Sequence, residues 1–230
     1  MHFRENVSLV REVRDIVIGD VVLIAAMTMT LSGGIFYGGS SLLSSIEYVA
    51  PIVALGVTLS FILHELMHKF VAQHYGAIAG FRVSPNGLMV TLLTGLFGFL
   101  LGIPGATVIY ASSFTKRQMG LVSLAGPLTN FAVFLAFLAI GILAHPARGS
   151  YLASTVGFVL FISMLLAFFN MLPVSPLDGS KVLAWDKRVY VVTMAVIFAL
   201  MVLFTGISLY QVAFMVIIAL MLSLFYRNVL

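Results

Sequence analysis

The chain has 230 residues, of which 61% are hydrophobic and 9% charged, and its formal net charge is +4. Soluble domains carry about 25% charged residues, so this composition excludes a water-solvated globular fold and indicates an integral membrane protein with one domain over residues 1–230. No cysteine is present, which excludes disulfides and thiolate metal sites, and the small positive charge reads as a topology signal with no nucleic-acid partner.

The first fifteen residues carry Arg4, Glu5, Arg11, Glu12, Arg14 and Asp15, without the apolar stretch of a cleavable signal peptide. A spanning helix needs about 20 apolar residues. Six such helices are predicted, over 16–31, 49–75, 120–144, 151–172, 189–205 and 208–226, with Gly206 as the turn between the last two. Asp20 interrupts the first; its carboxylate either lines a cavity or starts a helix. The segment 88–103 is apolar but punctuated by Gly95, Gly98 and Gly102. If it does not cross, six spans place both termini on one side, and that side collects nearly all Lys and Arg, including Lys69, Arg82, Lys116, Arg117, Lys181 and Arg227. Only Arg148 falls opposite, so the positive-inside rule favours a re-entrant segment, or one paired with a second short pass, and cytoplasmic termini in a multi-pass cell-membrane protein. Lys69, His74 and Arg82 then mark the cytoplasmic boundary, and His145 sits in the opposite loop. Around the re-entrant segment, 81–83 and 88–90 flank the turn signal Ser84-Pro85-Asn86-Gly87, and 106–111 is rich in β-branched and aromatic residues. The expected fold is an all-α polytopic membrane protein with about six transmembrane helices. A small β-strand and re-entrant region separates the second helix from the third.

His64-Glu65-Leu66-Met67-His68 is an HExxH sequence in the second span. Positions i and i+4 share a helix face, so both imidazoles reach one metal, with the intervening Glu beside it as general base. For this composition the pattern arises by chance on the order of 0.004 times per chain. Ionisable groups in mid-membrane are disfavoured by roughly 2.5–3.5 kcal/mol for a central charge, and a functional reason is their default explanation. A catalytic zinc needs a third protein ligand and an open position. The candidate is Asp178, in Asn170-Met171-Leu172-Pro173-Val174-Ser175-Pro176-Leu177-Asp178-Gly179, where two prolines break the fourth span and irregular backbone can bend back toward the second. The alternative for Asp178 is a helix-end or turn residue. Asn130 reads as an interhelical hydrogen-bonding residue, and Asn170 as either a substrate donor or a helix-end cap.

HExxH in one span and Asn-x-x-Pro-x-x-Pro-Leu-Asp-Gly in a later one resemble the site-2 protease family of intramembrane zinc metalloproteases, in its short microbial and archaeal form. The resemblance covers the core from about 49 to 179 and includes Ala125-Gly126-Pro127-Leu128-Thr129-Asn130, similar to the family's Gly-Pro motif. It implies one Zn2+ per chain on His64, His68 and Asp178, Glu65 as catalytic acid/base, and Asn170 near substrate or oxyanion. It also implies a three-helix catalytic core within six spans, an active site opening to the cytoplasm, and a transmembrane protein as substrate in the lipid bilayer. Met67 stands where many members have Gly, which bears on packing against a neighbouring helix. The competing function is a metal or proton transporter or channel using the same His and Asp side chains; it gives no reason for Glu65 between the histidines.

Overall fold

The computed structural model describes residues 9–34, 42–98, 100–102, 104–110 and 113–229. Arg4, Glu5, residue 103 and residue 111, which enter the expectations above, lie outside them. Chain order is α1 (Leu9–Leu31), α2 (Leu42–His74), β1 (Ile78–Val83), α3 (Pro85–Leu96), β2 (Gly105–Tyr110), α4 (Lys116–Ala144), α5 (Tyr151–Asn170), α6 (Asp178–Trp185), α7 (Lys187–Thr205) and α8 (Leu209–Val229).

Among the described residues, four helices are long and apolar enough to cross a membrane: α2, α4, α5 and α7. That is two fewer than the sequence pattern led one to expect. In α1, every stretch of sufficient length includes Arg14, Asp15 and Asp20. The side chains outside are those of a lipid-facing surface; Leu143, Leu203 and Tyr210 are 81%, 73% and 89% exposed, where a soluble protein of this size would bury such groups.

The helix ends follow local chemistry. Thr115 caps α4 with a reciprocal box, its hydroxyl accepting from the Gln118 amide while the Gln118 side chain accepts from Thr115. Asp186 caps α7 by accepting from the amides of Arg188 and Val189. Gly206 ends α7 at φ 68°, a left-handed conformation that glycine takes without steric penalty, so the expected turn is there.

Between α2 and α4 the outcome differs from the turn reading. Residues 88–90 are helical. Ser84 is an N-cap accepting from Gly87, and Pro85 opens the helix α3, because a proline lacking N–H fits the first helical position. The partner of β1 is instead β2, antiparallel, in the register Ile78↔Tyr110 to Val83↔Gly105. At 12 residues, α3 is roughly 18 Å long, short of the roughly 30 Å hydrocarbon core. It packs closely on α1: a Cβ on Gly95 would lie 2.6–2.7 Å from Ala26.

Two apolar clusters hold the frame. Phe134, Val156, Met164, Phe168, Val182 and Met201 join α4, α5, α6 and α7; Ile16, Val53, Val57, Phe61, Phe81 and Ile162 join α1, α2, β1 and α5. Polar ties fix α1. Lys69 of α2 donates to buried Glu12 at 2.6 Å, Arg82 of β1 lies 3.8 Å from Asp15, and Thr58 donates to Asp20 at 2.7 Å. Lys69 and Arg82, read as boundary markers, thus also face acids of α1. Asp20 is no helix-start residue; it sits mid-helix and ties α1 to α2.

Candidate metal centre

Helix geometry puts His64 and His68 one turn apart on the buried face of α2, 4% and 7% exposed. Their Nε2 atoms are 3.0 Å apart. Asp178 brings one carboxylate oxygen, Oδ2, to 3.5 Å from His64 Nε2 and 3.0 Å from His68 Nε2. Two ligands each about 2.0–2.1 Å from a tetrahedral zinc lie ~3.4 Å apart, so the three donors match the spread such an ion requires. Among the described residues this is the group of His, Asp and Glu side chains that could hold a metal. Asp178 is drawn up to the imidazoles by a helix of its own. Rather than sitting on irregular backbone, it opens α6 directly after the proline-rich segment. Burial opposes its ionisation, but the two imidazoles outweigh burial and hold the carboxyl well below the usual carboxylate range. Its other oxygen, Oδ1, faces Lys181 at 3.6 Å.

α6 is seated by close backbone approach. A Cβ on Gly179 would drive into the Met171 carbonyl, and one on Gly120 of α4 would meet the Trp185 side chain at 2.5–2.7 Å. Val182 is fully buried between these contacts. The Leu-Asp-Gly segment therefore has a packing reason for its glycine as well as a chemical one for its aspartate.

Helix α4 closes the site with one stripe, Val122, Gly126 and Asn130, at i, i+4 and i+8. The His68 Nδ1–H donates to the Val122 carbonyl at 2.7 Å. Fully buried Asn130 sets its side-chain nitrogen 3.2 Å from His64 Nδ1, an interhelical contact of the kind expected. Gly126 leaves the gap between them, where a Cβ would stand 2.5 Å from His68 Nε2 and 2.6 Å from His64 Nε2. The sequence signal for this stripe was the Gly-Pro motif, and its spacing of four shows which face meets the histidines. The donor set and the fitted gap both suit a divalent ion bound through nitrogen and oxygen.

Glu65 is held away from the three donors by β2. Its Oε2 accepts from the Thr107 amide at 2.9 Å and the Thr107 hydroxyl at 2.8 Å. No sequence feature singled out Thr107 beyond its place in a strand. Asn170 ends α5 and donates to the Leu166 carbonyl at 3.0 Å, and it lines the cavities on both sides of the site. One cavity, about 410 Å³, runs past Arg82, Ser84, Thr107, Ser175 and Lys181. The other, about 240 Å³, is apolar, walled by Leu23, Met27, Phe61, Ile162 and Phe214. Both reach His64 and Glu65. Met67 is 36% exposed and lines neither cavity.

Comparison with known proteins agrees with this chemistry. The chain is 38% identical over 150 residues to MJ0611 of Methanocaldococcus jannaschii, named as a candidate zinc metalloprotease, covering 65% of this chain and 76% of that one. It is 33% identical over 143 residues to Rip2 of Mycobacterium tuberculosis, named likewise, covering 57% of this chain and 55% of the relative. A third similarly named protein, YwhC of Bacillus subtilis, is 29% identical over 154 residues, 58% of this chain and 68% of its own. No family profile matches the chain, and no solved structure matches it.

Proposed function

The chain belongs to the site-2 protease family of zinc metalloproteases, and from that premise we propose that it is an intramembrane zinc endopeptidase. It hydrolyses peptide bonds within or near transmembrane segments of membrane-protein substrates, as a step of regulated intramembrane proteolysis. One observation carries this reading: two of the three donors, His64 and His68, lie with Glu65 in a 33-residue apolar helix, where Asp178 meets them from α6. A soluble peptidase would have no use for such a setting.

His64, His68 and Asp178 would hold the zinc, which would supply Lewis acidity toward a carbonyl and lower the pKa of a water to about 7. Glu65 takes one proton from the attacking water and returns it to the leaving nitrogen, so the C–N bond opens to a carboxylic acid and an amine, the acid then passing its proton to the amine. Asn170 spends one amide hydrogen on Leu166 and has a second for the substrate carbonyl or its oxyanion. Water enters through the polar cavity beside Arg82 and Lys181, from the cytoplasmic side, where both termini lie.

A helical substrate hides its amides in its own hydrogen bonds, so it must unwind to be cut. The Thr107 N–H points to Glu65 and away from β1, so β2 turns an edge toward the catalytic groups, and an unwound segment pairs there as a strand. Ile109, two residues on, presents its N–H on the same side. Ile109→Pro removes that donor while leaving the bonds to β1. Cleavage is expected to fall at least tenfold with zinc content unchanged; an Ile109→Pro protein that cuts normally rules out docking along β2.

The function itself is tested with purified protein and a single-span helical substrate in liposomes. Fragment masses should place the cut within or beside the apolar segment. A chelator should abolish cutting and added zinc restore it. Cutting that survives metal removal, or that occurs only in soluble tails, overturns the proposal.

A further inference from the structure

An imidazole that ligates a metal offers the lone pair of one nitrogen and carries hydrogen on the other, and the partner of that second nitrogen sets the tautomer. Here the converging nitrogens are both Nε2, so ligation requires hydrogen on both Nδ1 atoms. His68 meets this condition through the Val122 carbonyl, which can only accept. At His64 the partner is a carboxamide. Its Nδ1 faces the Asn130 side-chain nitrogen, which can only donate. The Asn130 Oδ1, fully buried, has no hydrogen-bond partner among the described residues. Turned half about, the carboxamide places this unpaired oxygen on His64 Nδ1.

A half-turn of a carboxamide exchanges its donor and acceptor ends. We infer that Asn130 is a positioning residue for His64: with metal bound, its side-chain oxygen accepts from His64 Nδ1–H and leaves Nε2 free to ligate. The inference rests on the metal reading of the site. A carboxylate at 130 would accept but never donate, favouring the ligating tautomer. An aliphatic group would favour neither.

The test compares wild type, Asn130→Asp and Asn130→Leu by zinc affinity in chelator competition, with circular dichroism for helix content and 15N NMR for the His64 tautomer. Loss of the acceptor in Asn130→Leu should weaken zinc binding about 10–100-fold, while Asn130→Asp should stay within a few-fold of wild type or bind tighter. Zinc-loaded wild type should show His64 protonated at Nδ1. A merely structural interhelical bond predicts that both variants lose stability and that zinc affinity does not separate Asn130→Asp from Asn130→Leu. The inference is overturned by Asn130→Leu binding zinc as tightly as wild type, by Asn130→Asp losing as much as Asn130→Leu, or by a zinc-loaded wild type bare at Nδ1. Where the leucine variant does not fold, Asn130→Asp decides: a folded Asn130→Asp that binds zinc at least tenfold more weakly than wild type overturns the inference. A wild type that binds no zinc at all removes the metal reading itself; zinc binding that ignores residue 130 removes only this inference.

Discussion

Gly126→Ala should yield a folded protein with neither zinc nor protease activity. The added methyl would stand 2.5 Å from His68 Nε2 and 2.6 Å from His64 Cε1 and Nε2, far inside van der Waals contact and on the metal-facing atoms. Relief by rotating the rings is blocked. Each imidazole is tethered through Nδ1, to Val122 or to Asn130, one turn to either side of Gly126 on the same helix. Moving α4 outward would break both tethers together. Overpacking of this kind typically destabilises by about 1–3 kcal/mol, which helices packed as extensively as α2, α4 and α5 can absorb, so the loss falls on the site. We expect zinc affinity to drop at least ~100-fold, beyond the range of outer-sphere substitutions, with helix content by circular dichroism unchanged. Stoichiometric zinc in Gly126→Ala would show that the ligands are not where α4 presses on them.

Glu65→Gln separates chemistry from binding. Glutamine is isosteric, and its carbonyl oxygen can still accept from the Thr107 amide and hydroxyl, now 2.9 and 2.8 Å from Oε2. Glu65 also lies outside the His64, His68 and Asp178 group. Zinc content should therefore match wild type. Cleavage should fall by ~10²–10⁴, the range for removing a positioned acid/base, because glutamine can neither take the water proton nor return one to the leaving nitrogen. Fragment yield and metal content from one preparation check both halves. A transporter using the same ligands would keep its flux in Glu65→Gln, so unchanged metal transport together with no cleavage in wild type would favour that reading.

Some of this was legible from residue order because helix geometry is local. A spacing of four puts His64 and His68 on one face whatever the rest of the chain does. The apolar runs of α2, α4, α5 and α7 are fixed by the length a bilayer requires. The strand at 106–110 showed in its β-branched residues. The failures were non-local. The Ser-Pro-Asn-Gly signal serves equally as a hairpin turn and as a helix cap, and only the pairing of β1 with β2 across α3 separates the two. Six apolar stretches were read as spans, the first already interrupted by Asp20, and the charges of α1 at Arg14, Asp15 and Asp20 became comprehensible only once Arg82 and Thr58 stood opposite Asp15 and Asp20.

By itself, the sequence determined a membrane protein with a helical two-histidine turn and a glutamate beside it, because composition and the 3.6-residue period need no tertiary information. Tertiary structure alone decided that Asp178 meets those histidines from the start of α6, that Gly126 makes room for them, that Val122 and Asn130 face their outer nitrogens, and that Thr107 holds Glu65. Each of these is a contact between atoms more than 35 residues apart in the chain. Such contacts depend on how helices and strands pack, which no local pattern of side chains encodes.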